Sequence, residues 1–211
     1  MILTEKWANS HITGLNELPD NAALIAANHP FLLCLAPSIL ALACKFPDVR
    51  IVSDAGLVSW LKVMGIATIP VNTKSNLKHA CSKSAFLKMK VTDCIFRFIG
   101  TKYDEIDNRS LPGRISSGLA DGNSIFIAPS GQGHPDAVWR PGIGYAIQEI
   151  VASGQNPVLS FLLIQNKIPW HGNITLVEPL NNVLDRCRID PKLVPAKEIA
   201  AGLQRFFNIL S

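Results

Sequence analysis

A chain of 211 residues with 48% apolar and 17% charged side chains has ample material for a buried core, which excludes an intrinsically disordered protein. Its net charge of +4 is too small to argue for nucleic acid and suits a phosphate-bearing substrate or an anionic membrane surface instead. The five cysteines include no C-x-x-C pair, which indicates neither a disulfide framework nor a zinc site and fits a reducing cytosol.

From the N-terminus, Ile2 to Thr13 reads as a short opening segment whose Trp7 and Ile12 cover a sheet edge, followed by a loop from Gly14 to Asn21. Glu5 and Lys6 occupy the place where a signal peptide would begin its apolar region, so none is read. Ala22 to Ala27 is a short apolar run that predicts a buried strand, and Leu33 to Ala43 predicts a helix entered through the loop Asn28-His29-Pro30. Asn28, His29, Pro30 and Pro37 would put polar groups and a broken helix into hydrocarbon, so this stretch is read as interfacial rather than spanning. After a break at Lys45 to Asp48, Val49 to Val52 predicts a second strand. Gly56 to Met64 predicts an amphipathic helix with Leu57, Trp60, Leu61 and Met64 on one face, ended by Gly65. Ile66 to Val71 predicts a third strand, which Pro70 puts at an edge or a strand end.

Thr73 to Lys102 is the basic part of the chain, with Lys74, Lys78, Lys83, Lys88, Lys90, Arg97 and Lys102 interleaved with Phe86, Phe96 and Phe98. One reading is a solvated helix face whose lysine stems cover apolar surface; the other is a platform for phosphates or anionic headgroups. Beyond it, Arg114 to Ala120 predicts a brief helix and Ser124 to Ala128 a buried strand. That strand runs into Pro129-Ser130-Gly131-Gln132-Gly133, a small-residue loop whose backbone N–H groups can approach an anion or oxyanion closely. It lacks the Gly-Lys-Ser/Thr of a P-loop and the third glycine of a dinucleotide fingerprint. Further helices are predicted from Ile143 to Ala152 and from Pro195 to the end. A further strand is predicted over Pro157 to Ile164, and a strand or hairpin near an edge over Lys167 to Glu178. No repeat or linker divides the chain, so residues 1–211 are expected to form one α/β domain with a mixed, largely parallel central sheet flanked by helices.

Two strand-to-helix junctions thus stand out, one at His29 and one at Gly131. The carboxyl ends of strands are where open α/β sheets hold ligands, while the plain alternative for His29 is a loop histidine bonded to a carbonyl. In order, Asn28-His29-Pro30, Ser53 to Asn72, Ile125 to Gly131, Trp139-Arg140-Pro141-Gly142 and Asn156-Pro157-Val158 resemble the blocks of the glycerolipid acyltransferase superfamily. That superfamily includes the glycerol-3-phosphate and lysophosphatidic acid acyltransferases. The resemblance covers roughly residues 20 to 165, and the Ala128-Pro129-Ser130-Gly131 form of the third block looks like that of the soluble plastid-type enzymes.

The resemblance implies that His29, beside Asn28, acts as general base on an acceptor hydroxyl, which then attacks the thioester of acyl-CoA or acyl carrier protein. It implies a substrate-binding set of Asn72, Lys74, Pro129, Ser130, Gly131, Gln132 and Arg140. No metal or cofactor is implied beyond the thioester co-substrate, and no nucleic acid. The partners implied are a phosphate-bearing lipid or glycerol acceptor and a peripheral membrane surface, on the cytoplasmic side of the inner face. Three positions depart from the family pattern. The aspartate that orients the histidine falls at Cys34, and the two family arginines fall at Val71 or Asn72 and at Gly133. A thiol is a weak acceptor, so either Asp136 or Asp54 replaces the carboxylate from another loop, or Cys34 takes the acyl group itself with His29 activating it. A chain with these departures is either an acyltransferase on an unusual acceptor or a non-catalytic lipid- or acyl-thioester-binding protein on the same scaffold.

Overall fold

The computed structural model describes residues 5–20, 22–28, 32–54, 58–72, 106–131, 137–165 and 171–211, the side chains of 32–34 and 59–60 excepted. The basic stretch from Thr73 to Lys102 lies outside the described residues. Among the described residues the chain forms one seven-stranded sheet with helices on both faces.

The sheet is built in chain order from β1 (Ile12–Thr13), β2 (Ala23–Ala27), β3 (Arg50–Asp54), β4 (Ala67–Val71), β5 (Ile125–Ile127), β6 (Val158–Ile164) and β7 (Gly172–Pro179). Its spatial order is β1-β7-β6-β2-β5-β3-β4, and every neighbouring pair is parallel except β6 with β7. The fold class is therefore α/β, with a mixed and mostly parallel sheet. The central strand shows why the apolar runs carry no polar alternation. Leu24 and Ala26 face one core, Ala23, Ile25 and Ala27 face the other, and all are fully buried.

The helices divide between the two faces. α1 (Glu5–His11), α2 (Leu32–Lys45) and α3 (Val58–Val63) cover the side of Ile25 and Phe126. The other side, with Leu24, Ile125 and Phe161, is covered by α4 (Leu111–Ala120), α5 (Pro141–Ala152), α6 (Leu180–Cys187) and α7 (Ala196–Leu210). Trp7 and Ile12 pack at the β1 edge as expected, and β4 with its Pro70 is the other end of the strand order. Two elements differ from expectation. α4 starts at Leu111, a full turn before Arg114, because Pro112 suits the first turn of a helix. α6 was not anticipated, although Leu180, Val183, Leu184 and Cys187 have helical spacing. Its asparagines and short length hid a face whose burial only the neighbouring sheet supplies.

The crossovers create one special place. From β2 the chain passes by α2 over one face, skipping the position of β5, to reach β3; from β5 it passes by α5 over the opposite face, skipping β2, to reach β6. Connections leaving adjacent strands in opposite directions mark a crevice at the carboxyl ends of β2 and β5.

Candidate functional site

The described starts of the two loops singled out from sequence, Asn28 and Pro129–Gly131, lie at this end of the sheet. β2 and β5 run parallel with Leu24 opposite Ile125 and Ala26 opposite Ile127, so Asn28 and Pro129 follow at the same end of adjacent strands. Asn28 is held on its other side. Its Nδ2 donates to the Ile164 carbonyl at 2.8 Å and its Oδ1 accepts from the Ile164 N–H at 2.7 Å. The side-chain amide thus continues the β2–β6 ladder by one rung after the backbone turns away, and positions the start of the loop. Both ends of the amide are committed there, which makes Asn28 a positioning residue.

A second asparagine does the same at β4. The Asn108 amide accepts from the Asn72 N–H at 2.8 Å and donates to the Asn72 carbonyl at 2.7 Å. Asn72 thus stands at the rim through its backbone, pinned to the turn before α4. Sequence reasoning passed over Asn108, which carries no motif and finds its partner 36 residues away.

The Pro129–Gly131 loop is a tight turn closed by the Gly131 N–H donating to the Ala128 carbonyl at 3.0 Å, with Gly131 in the left-handed region at φ 60°. Arg140 is tied to this turn twice. Its backbone N–H donates to the Pro129 carbonyl, and its Nε donates to the Ser130 carbonyl, each at 3.0 Å. The adjacent Trp139 anchors the arrangement in the core against Phe161 and Phe207, and Gln204 of α7 clamps the backbone of Ala137 and Trp139. The Trp-Arg-Pro-Gly block is thus one device: the indole is buried, the guanidinium is brought to the glycine turn, and Pro141 starts α5.

Below the turn lies a cavity of about 370 Å³, within the size range of small-molecule sites. It opens because β3 and β5 pair only at Arg50 with Ile125 and Ile51 with Phe126, after which the strands part. Leu35, Ile39, Leu61 and Phe126 line it from one face and Leu111 and Ile143 from the other, with Asp54, Asn72, Gly131 and Arg140 among its polar lining. Ser53 also lines it; the residue is 7% exposed and its hydroxyl has no hydrogen-bond partner among the described residues. An apolar cavity with a cation and a glycine turn at its lining suits an amphipathic ligand, with its chain inside and its polar end at the rim.

Of the sequence-predicted set, Asn28, Asn72, Pro129, Ser130, Gly131 and Arg140 are described, and Asn72, Pro129, Gly131 and Arg140 line the one cavity. His29, Lys74, Gln132 and Asp136 lie outside the described residues, as does the Cys34 side chain, whose backbone belongs to the first turn of α2. Burial pushes the thiols of Cys44 and Cys187 up from their ordinary value, with Arg186 and Arg205 pulling Cys187 the other way. Both are therefore poor nucleophiles. Among the described residues no helix is long and apolar enough to cross a membrane. Comparison with protein-family models, curated proteins and solved structures finds nothing that matches this chain.

Proposed function

We propose that the chain is an O-acyltransferase. It moves a fatty acyl group from acyl-CoA or acyl carrier protein to a hydroxyl of glycerol 3-phosphate, a lysophospholipid or a related acceptor, at the membrane surface on the cytoplasmic side. The observation that carries this reading is the apolar cavity between the carboxyl ends of β3 and β5, next to the switch point, lined by the glycine turn and by Arg140. The acyl chain lies in the cavity, and the thioester carbonyl meets the Gly131 turn, where the Arg140 guanidinium favours a developing oxyanion. His29, the residue after the Asn28 clamp, takes the proton from the acceptor hydroxyl. The hydroxyl oxygen bonds to the acyl carbon, the C–S bond breaks, and the thiolate leaves with a proton. The resemblance of five ordered sequence blocks supports the same assignment.

A second reading, a non-catalytic lipid- or acyl-thioester-binding protein, is favoured by Cys34 standing where the family has its orienting carboxylate. In the serine-protease triad, loss of the corresponding aspartate costs about four orders of magnitude in rate.

The purified protein, incubated with labelled acyl-CoA or acyl carrier protein and each acceptor, tests both. Turnover that falls by about 10²- to 10⁴-fold in His29→Ala identifies His29 as the base. Cys34→Asp then raises the rate and Cys34→Ala changes it little. Loss of turnover in Cys34→Ala, without recovery in Cys34→Asp, makes Cys34 the nucleophile instead. Thioester binding without turnover in any variant selects the binding protein.

A further inference from the structure

A second depression lies away from the crevice, along β4 and the face that carries α4 and α5. It is an open groove of about 910 Å³, and three arginines line it: Arg50 from the start of β3, Arg109 from the turn before α4, and Arg114 from the first turn of α4. Thr68 and Ser117 bring hydroxyls to the same surface, and Glu149 a carboxylate.

Arg114 is the residue that needs explaining. Its Nε and Nη2 are buried and have no hydrogen-bond partner among the described residues. Burial pulls the guanidinium down from its ordinary value, with Asp107 opposing that shift from a distance. The Asp107 carboxylate caps the preceding turn instead, where Oδ1 accepts from the Arg109 N–H at 2.9 Å. A guanidinium does not give up its proton in proteins, so Arg114 keeps its charge with two donors unused. Unmade donors on a half-buried charge are costly, and a turn of the side chain that brings them to an anion in the groove removes the cost.

Several features define that anion. A guanidinium edge offers two parallel N–H donors, which match two oxygens of one phosphate or carboxylate. Arg50 is held only loosely, with Nη2 at 3.7 Å from Asp121 and both groups partly exposed, so it can turn to a second partner. Three guanidinium groups against the one Glu149 carboxylate, with two hydroxyls, call for more charge and more acceptor oxygens than a carboxylate carries. The site does not depend on the helix N-terminus, since the Leu111 N–H is taken by Asn108 and Pro112 has none.

We propose that this groove binds a phosphate ester, with the half-buried Arg114 as its anchor and Arg50 and Arg109 closing on the remaining oxygens. The site is distinct from the crevice, although the exposed Tyr145 of α5 borders both. It goes beyond the acyltransferase reading, because phosphate binding here is measured without turnover. The ester belongs either to a soluble metabolite or to a phospholipid headgroup.

Titration of the full chain with glycerol 3-phosphate, with adenosine 3′,5′-bisphosphate, and with phosphatidate-containing against pure phosphatidylcholine vesicles tests it. Arg114→Met is expected to weaken binding by about tenfold or more, the effect of losing hydrogen bonds to a charged group. Arg114→Lys weakens it less. Binding of the soluble esters identifies a metabolite site; Arg114-dependent binding of phosphatidate vesicles alone identifies a headgroup site. Absence of binding to every probe at millimolar concentration overturns the proposal. So does equal binding by the wild type and Arg114→Met. Should Arg114→Met not fold, amide shifts on titration decide for the wild type: movement at Gly113 and Ser117 supports the groove, and movement confined to Gly131 refutes it.

Discussion

Asn28 and Ser53 both hold polar side chains at the carboxyl end of the sheet, and their opposite circumstances predict opposite effects of truncation. The Asn28 amide satisfies the N–H and carbonyl of Ile164, so Asn28→Ala leaves two backbone groups without partners at the end of β6. Chemical denaturation is expected to show a loss of about 1–3 kcal/mol, with Asn28→Asp in between because the acceptor survives and the donor does not. Ser53 is buried with no partner for its hydroxyl among the described residues. Its replacement by Ala should leave stability unchanged or raise it by about 1 kcal/mol, since the penalty of an unmade hydrogen bond disappears. A marked loss in Ser53→Ala would mean that the hydroxyl is engaged in the folded protein in solution. Asn28 was legible in the sequence as part of a junction, but its role was not, because Ile164 lies 136 residues further on.

The packing of α5 against α7 is governed by one small residue. At Gly144 a Cβ would overlap the Ala196 carbonyl and its neighbouring backbone atoms, so the two helices meet there with nothing between them. Gln148, one turn along α5, donates from Nε2 to the Pro191 and Val194 carbonyls at 3.1 Å each, holding the loop that delivers α7. Because the obstacle is backbone rather than the end of a flexible side chain, Gly144→Ala must push the helices apart. A loss of about 3 kcal/mol or more is expected, read as a lowered melting temperature. The displacement would also reach Gln204 and hence Trp139, so Arg140 should lose its seat at the Gly131 turn and ligand binding in the cavity should weaken with stability. A variant as stable as the wild type would contradict this account of the contact. Periodicity predicted both helices, but not that Gly144 marks their crossing, since close approach is a property of a pair.

Across the whole molecule, the two faces of the sheet carry separate cores, and the crevice lies where the connections diverge between them. The acyltransferase reading adds a surface for anionic lipid, expected from the lysines and phenylalanines between Lys74 and Lys102. Binding to anionic vesicles should weaken as salt is raised, because charge is screened over about 10 Å at 0.1 M. Equal co-sedimentation with neutral and anionic vesicles would remove that part of the reading. The sequence alone determined the class of fold, since apolar runs such as Ala22 to Ala27, separated by helical periodicities, have few solutions other than a buried, mostly parallel sheet. It also marked Asn28 and Gly131 as junctions, through the polar and glycine residues that interrupt those runs. Only the tertiary structure decided that β2 and β5 are neighbours, that β3 parts from β5 to open a cavity, and that Arg114 is left with buried, unused donors. Strand order and burial arise from contacts between residues far apart in the chain, and local spacing carries no record of them.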